Sequence, residues 1–127
     1  MDSGAHAETI DDILNAMPQG GAVLAEDGDQ AVGSARYVVE GEYLYVGRLA
    51  VLPSHRRRGV GSAMMRFLES VAHDVGRDAI LVGVRDSLRS NVGLYRSLGY
   101  EVVSVDPHPR GADHVWTMVK RIRMARA

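Results

Sequence analysis

The stretch Val51–Met65, VLPSHRRRGVGSAMM, joins a predicted strand to a predicted helix and decides the fold expected for this chain. It places the three arginines of Arg56–Arg58 directly before a Gly-x-Gly formed by Gly59 and Gly61. The first turn of a helix offers free N–H groups and a positive dipole end, and glycines leave those groups accessible to a ligand. The stretch therefore predicts a site for a phosphate or pyrophosphate, with a glycine turn beside a solvated basic patch as the alternative.

Two familiar phosphate-binding loops do not match this stretch. A Walker loop requires Gly-Lys-Ser/Thr after four intervening residues, and the chain has no such sequence here. A dinucleotide fingerprint requires Gly-x-Gly-x-x-Gly, but Met64 stands at the third glycine. A different kind of anion site is expected.

Composition narrows the class of protein. The chain has 127 residues, of which 46% are hydrophobic and 24% charged, as expected for one ordinary globular domain spanning residues 1–127. The net charge of −1 argues against general nucleic-acid binding, so the arginine cluster is a local feature. The absence of cysteine excludes disulfides and thiolate zinc sites, and the histidines lack metal-ligand spacing. We therefore expect no metal, no membrane segment and a cytoplasmic location.

Three strand candidates precede the stretch, and the short turns between them predict an antiparallel meander. They are AVLAED (Ala22–Asp27), QAVGSARYVVE (Gln30–Glu40) and EYLYVGRLAVL (Glu42–Leu52). Further upstream, apolar residues recur at helical spacing in Ala7–Met17, which predicts a short amphipathic helix. Residues 1–6 are expected to be a flexible end.

The elements after the stretch predict a βαβ unit. Gly59–Val75 has one apolar helical face, built from Val60, Met64, Phe67 or Leu68, Val71 and Val75. The apolar run AILVGV, Ala79–Val84, suits a buried strand parallel to the strand before the helix. A helix at Ser90–Leu98 and strands at Tyr100–Val105 and His114–Ile122 follow. The predicted fold is α/β, with a mixed, mostly antiparallel central sheet flanked by helices.

Two motifs in this order resemble those of a known family. Arg56-Arg57-Arg58-Gly59-Val60-Gly61 resembles the coenzyme A motif Arg/Gln-x-x-Gly-x-Gly/Ala of the GNAT superfamily of acetyl-CoA-dependent N-acyltransferases. SNVGLYRSLGYEVV, Ser90–Val103, is similar to the family's second cofactor segment, in which an asparagine opens a helix bearing a tyrosine. Asn91 and Tyr95 hold those two positions. The resemblance covers roughly Gly21–Val119.

The resemblance implies a specific fold feature and a cofactor. The strand Tyr43–Leu52 is expected to splay from Ala79–Val84, with the pantetheine arm of acetyl-CoA in the gap between them. The implied cofactor-binding residues are Leu49 and Val51, through their main chains, with Arg56, Arg57, Arg58, Gly59, Val60, Gly61, Ser62 and Asn91. A plain helix cap is the alternative role for Asn91.

The resemblance also implies N-acetyltransferase activity by direct attack of a primary amine on the thioester, with Tyr95 as general acid to the leaving sulfur. The alternative is that Tyr95 only packs between helix and sheet. Family members usually begin with a strand and two helices that wall the acceptor side, whereas one helix fits here. We therefore expect a second subunit to complete that wall, which predicts a homodimer.

The general base and the acceptor stay open. Some family members carry a glutamate in the strand before the motif, where this chain has Tyr45, a poor base. Glu42, His108 and His114 are the other candidates, unless they are surface residues and the amine arrives deprotonated. Arg85 ends the buried strand on the expected acceptor side, where it pairs either with a substrate carboxylate or with a neighbour such as Asp86.

A second interpretation is that the chain binds the cofactor but does not catalyse acetyl transfer. The short front and the missing strand glutamate are compatible with an acyl-CoA-binding regulatory module that has little or no catalysis. Cofactor binding without thiol release across a panel of amines would distinguish this module from an enzyme. The identity of the acceptor amine does not follow from the sequence.

Overall fold

The computed structural model describes residues 20–85, 89–107 and 113–122. Within these ranges the strands are β1 (Gly21–Asp27), β2 (Gln30–Glu40), β3 (Tyr43–Val51), β4 (Ala79–Arg85), β5 (Glu101–Pro107) and β6 (His114–Arg121). The helices are α1 (Val60–Asp74), between β3 and β4, and α2 (Arg89–Ser97), between β4 and β5. Each of these elements was predicted, and the bounds agree to within two residues. The expected helix Ala7–Met17, like His108, lies outside the described residues.

The six strands form one mixed sheet in the order β1-β2-β3-β4-β6-β5. Four neighbouring pairs are antiparallel, and β3 with β4 is the parallel pair. The unit β3-α1-β4 is therefore the predicted βαβ unit. The predicted mixed, mostly antiparallel sheet is confirmed.

The hydrophobic core lies between the sheet and the two helices. The large fully buried side chains come from both helices and from four strands; they are Val38, Leu44, Val46, Met65, Leu68, Ile80, Val82, Tyr95 and Met118. Burial of one such side chain stabilises the fold by about 1.5–3 kcal/mol. Of the two alternatives for the apolar face of α1, Leu68 is in the core and Phe67 is 54% exposed. The expectation for Val75 was wrong, because α1 ends at Asp74 and Val75 is 41% exposed.

A bulge interrupts β3 just before its carboxyl end. Arg36 pairs with Gly47 and Ser34 with Ala50, so Arg48 and Leu49 together face the single residue Ala35. Arg48 has a φ of 59°, a left-handed conformation that strains a residue with a Cβ. A bulge of this kind bends its strand and disrupts local pairing.

The parallel ladder between β3 and β4 is short. It runs from the pair Tyr43–Ala79 to the pair Val46–Val82, although β3 continues to Val51 and β4 to Arg85. The two strands therefore separate beyond Val46 and Val82, as the expected splay requires. We call the space between residues 47–51 of β3 and residues 83–85 of β4 the gap.

Candidate active site

The corner between β3 and α1 presents bare backbone amides. Gly59 precedes α1 with a φ of 81°, and no side chain caps the helix start. The first helical hydrogen bond runs from the Ala63 amide to the Gly59 carbonyl at 2.9 Å, which leaves the amides of residues 60–62 without an intrahelical acceptor. A Cβ added at Gly59 would have no atom within 4 Å. The open amides of this corner suit an anion.

Gly61 has a different role from Gly59. It is buried, and a Cβ added there would lie 2.8 Å from Cδ2 of Leu94 in α2. The sequence analysis assigned both glycines to anion access. The structure gives Gly59 the open backbone and gives Gly61 the close contact between the two helices.

The three arginines of the motif are exposed around this corner. Arg56 turns back toward β3, and its Nε donates a hydrogen bond to the Val51 carbonyl at 3.2 Å. Arg57 has a left-handed φ of 63°, the second strained arginine near the gap after Arg48. Non-glycine residues in this conformation cluster at ligand sites in many proteins. The motif residues thus form one cationic rim at the helix start.

Main-chain groups of β3 border the gap at the two positions that the resemblance implied. The Leu52 amide donates to the Val32 carbonyl of β2 at 2.8 Å. Because successive residues of a strand alternate their hydrogen-bonding direction, the N–H and C=O of Val51 point away from β2 and into the gap. The Leu49 carbonyl also points away from β2, since it accepts a hydrogen bond from Asn91 of α2.

Asn91 links α2 to β3. Its Nδ2 donates to the Leu49 carbonyl at 3.3 Å, and the residue is the third of α2, so it is not the residue that caps the helix. Tyr95 follows one turn later on the same face of α2. The structure therefore brings Asn91 to the separated end of β3, with Tyr95 on the same side of the helix.

Tyr95 is a core residue. It is 1% exposed, and its ring centroid lies 5.5 Å from that of Tyr100. Burial raises the pKa of the Tyr95 phenol far above its ordinary value of about 10, so the hydroxyl keeps its proton at neutral pH. The packing role is thus present whether or not the phenol also takes part in chemistry.

A polar cluster that the sequence analysis missed connects α1 to β6. The Tyr100 hydroxyl donates to Oε2 of Glu69 at 3.0 Å, and Lys120 Nζ lies 3.2 Å from the same oxygen. Burial, and then the charge of Glu69, raise the pKa of Tyr100. These residues are distant in sequence and match no spacing rule, so only the fold could reveal the cluster.

The two candidate bases within the described residues lie at opposite ends of the sheet. Glu42 is exposed in the turn before β3, at the end of the strand away from the gap, so its position does not fit the role of general base. His114 begins β6, next to Val115, which pairs with the last residue of β4. His114 therefore lies at the gap end and stays a candidate.

His55 anchors the loop beneath the arginines. Its Nε2 lies 2.9 Å from Oδ2 of Asp27, and its Nδ1 lies 2.8 Å from the Ser54 hydroxyl. These contacts tie the short turn after β3 to the end of β1. A surface cavity of about 350 Å³ adjoins them, with Glu26 and Arg58 in its lining.

Within residues 20–85, 89–107 and 113–122, no three His, Asp or Glu side chains lie close enough together to hold a metal ion. Neither α1 nor α2 is both long and apolar enough to span a bilayer.

Comparisons with known proteins agree with this geometry. The model of the acetyltransferase (GNAT) family matches residues 2–100. The uncharacterized N-acetyltransferase YjcF of Bacillus subtilis is 32% identical over 97 residues, which are 76% of this chain and 65% of that protein. The matched part of this chain thus spans slightly less than two thirds of that relative.

Solved structures show the same fold at lower identity. The ribosomal-protein-S18-alanine N-acetyltransferase from Escherichia coli aligns with a TM-score of 0.73 and 22% identity, over 90% of this chain and 78% of that one. An aminoglycoside 6'-N-acetyltransferase complexed with coenzyme A aligns with a TM-score of 0.73 and 21% identity, over 91% of this chain and 81% of that one. The family model matches most of this chain, and the chain therefore belongs to the GNAT family of acetyltransferases.

Proposed function

We propose that this chain is an N-acetyltransferase that transfers the acetyl group of acetyl-CoA to a primary amine. The observation that carries the proposal is the gap between β3 and β4, which opens beside the amide-rich corner before α1. Membership of the family and the relatives named above support it.

The residues fit a long ligand with a diphosphate at one end and an amide-bearing arm. The free amides of residues 60–62 and the rim Arg56–Arg58 suit the diphosphate. The outward N–H of Val51 suits a carbonyl of the arm, much as a neighbouring strand would, whereas the Val51 C=O already accepts a hydrogen bond from Arg56 Nε. Leu49 and Asn91 border the same path. Acetyl-CoA would supply the acetyl group as a thioester.

The proposed reaction replaces sulfur by nitrogen on the acetyl carbonyl carbon. The amine nitrogen adds to this carbon to give a tetrahedral oxyanion, and its collapse breaks the C–S bond, whose electron pair leaves on sulfur. Tyr95 is the donor that we assign to this sulfur, because its phenol is protonated at neutral pH and it follows Asn91 by one turn on the same face of α2. Its raised pKa disfavours complete proton transfer, so most of its contribution is a hydrogen bond to the developing thiolate.

The acceptor must lose a proton before or during attack. His114 is at the gap end of the sheet and is exposed, which leaves it accessible to an incoming amine. We propose His114 as the base, with uptake of the free amine from solvent as the alternative.

The second candidate function is an acyl-CoA-binding module with little catalysis. Tyr45 favours it, because the strand position where some family members have a carboxylate base carries a phenol here. The two candidates make different predictions about turnover but the same prediction about cofactor binding.

We further propose a homodimer in the cytoplasm. Within the described residues, β5 is an outer strand of the sheet, and Val103 and Val105 on it are 57% and 46% exposed. An outer strand with exposed apolar residues favours pairing with a second copy. A monomer in light scattering at working concentration would contradict the dimer.

Calorimetric titration with acetyl-CoA, followed by a thiol-release assay over a panel of primary amines, tests the proposal. Binding together with release supports the enzyme, and binding without release across the panel supports the module. An absence of binding at high micromolar acetyl-CoA would overturn both.

A further inference from the structure

We infer that the acceptor amine carries a carboxylate, and that Arg36 and Arg85 bind it on the sheet face opposite α1 and α2. This inference rests on the proposed function and narrows its substrate class. It starts from a concentration of positive charge where β3 leaves β4. Arg36, Arg48 and Arg85 lie on three successive strands of the sheet, each close to the last ladder pair, Val46–Val82.

The register places Arg36 at the start of the gap. Its partner in β3 is Gly47, the first residue beyond the ladder. Its chain neighbours Ala35 and Tyr37 both pack into or against the hydrophobic core. Because side chains alternate along a strand, Arg36 points to the opposite face of the sheet.

Arg85 reaches the same face from the other side of the gap. It is the last residue of β4, it is exposed, and the preceding Val84 is a core residue with 4% exposure. Alternation again turns the guanidinium away from the helices. Two arginines thus flank the gap on the face of the sheet that α1 and α2 do not cover.

The strand positions between these arginines carry little side chain. Gly47 follows Val46 on β3, and Gly83 follows Val82 on β4, so both glycines stand on the face of the arginines. Thr117 of β6 is the register partner of Gly83. A small amine-bearing molecule laid across the glycines would therefore have a guanidinium on either side.

A carboxylate is the group that this arrangement suits. A guanidinium binds a carboxylate through two parallel N–H···O bonds, which fixes orientation as well as charge. Arg48, exposed in the bulge between them, adds to the positive field. Arg48 and Arg85 each already interact with another group of the chain, so the carboxylate would share or exchange those contacts.

Two aspartates lie on the β6 side of Arg85, and Asp113, like Arg85, already interacts with another group of the chain. Asp106 is the partner of Val115, whose other neighbour is Arg85, so the aspartate is two strands away from that arginine. Its Oδ2 accepts a hydrogen bond from the Ser104 hydroxyl at 3.1 Å. Asp113 lies just before β6, and its Oδ1 accepts the His114 amide at 3.0 Å.

The test compares amino acids with their carboxamides as acceptors, because each pair differs only in the charged group. Affinity for the chain saturated with coenzyme A is measured by calorimetry, and KM is measured by thiol release. Arg36→Gln and Arg85→Gln are the test variants. Arg121→Gln is the control, since Arg121 pairs with Ala79 on the same face but at the other end of β4, about 20 Å from Arg85.

We expect at least one amino acid to bind about tenfold or more tightly than its carboxamide, and each test variant to remove that preference while coenzyme A affinity is unchanged. The Arg121 control should keep the preference. Carboxamides that bind as tightly as the amino acids, or more tightly, would overturn the inference. Test variants that weaken the binding of amino acid and carboxamide equally would also overturn it. Either result would leave the acetyltransferase proposal standing. A chain that fails to bind acetyl-CoA would instead refute the proposed function, and this inference with it.

Discussion

The side-chain amide of Asn91 donates a hydrogen bond to the main-chain carbonyl of Leu49, 3.3 Å away and 42 residues earlier in the chain. This contact joins the start of α2 to the part of β3 that has left β4. It holds one wall of the gap in place, and it leaves Oδ1 of Asn91 as an acceptor for an amide of the arm.

Replacement of Asn91 by aspartate tests this contact with little change of size. A carboxylate has no proton to donate to the Leu49 carbonyl and adds negative charge near the cofactor path. We expect acetyl-CoA affinity to fall about tenfold or more in calorimetry, the equivalent of one lost hydrogen bond. Ser97→Ala, which removes the exposed hydrogen bond from Ser97 to the Leu94 carbonyl in the same helix, should leave the affinity unchanged.

Tyr95→Phe tests the donor to the leaving sulfur. Loss of the hydroxyl should lower kcat by roughly 100-fold with little effect on KM for acetyl-CoA, because the donor acts on the thiolate that forms during reaction. Tyr100→Phe is the matched control, since its ring is also buried but its hydroxyl binds Glu69. A Tyr95→Phe enzyme with unchanged kcat would show that this tyrosine has only its packing role.

Alkaline pH should destabilise the folded protein, because two tyrosine hydroxyls are buried in it. The pKa values of Tyr95 and Tyr100 are raised by burial, and for Tyr100 also by Glu69, whereas in the unfolded chain both phenols ionise near pH 10. Below pH 10 both states keep these protons, so stability is unaffected. Above pH 10 only the unfolded state loses them, so stability falls by about 1.4 kcal/mol per pH unit for each tyrosine.

Urea denaturation at intervals between pH 8 and 11 measures this slope. Tyr100→Phe, compared with the parent chain, should lower the slope above pH 10 by about half. An identical slope in parent and variant would show that Tyr100 does not carry the effect.

The two kinds of glycine around the site predict opposite effects of alanine. Gly59→Ala forces a Cβ into a left-handed conformation and should lower the free energy of unfolding by about 1–2 kcal/mol. Gly93 is exposed in the interior of α2, with open space around it, so Gly93→Ala should raise the free energy of unfolding by about 0.5–1 kcal/mol. Urea denaturation of both variants checks the two signs, and a neutral Gly59→Ala would contradict the strained corner.

Most of the fold could be predicted from local patterns. One central strand is marked by the alternating apolar residues Leu44 and Val46, and the other by the continuous apolar run Ala79–Val84. The helix between them is marked by its apolar face and by Gly59 before it. The end of α1 was misplaced by one residue, because Val75 was assigned to the apolar face of the helix. A glycine follows Val75, so the pattern continued one residue beyond the helix.

The sequence indicates candidate residues for the site but not the contacts that they make. The buried positions of β3 change from even to odd numbers between Val46 and Leu49, which is the sequence signal of a bulge and was overlooked. Nothing in the sequence indicates that Arg56 binds the Val51 carbonyl or that Gly61 faces Leu94. Such contacts depend on how separate elements pack, which no local pattern encodes.

The central claim is that the arm of acetyl-CoA lies in the gap, against the main chain of Val51. Amide hydrogen exchange with and without saturating acetyl-CoA tests it residue by residue. The Val51 amide should exchange at least about tenfold more slowly in the complex, together with the amides of residues 60–62, while those of β1 are unchanged. Protection confined to residues 60–62, with Val51 exchanging as fast as in the free protein, would contradict the claim.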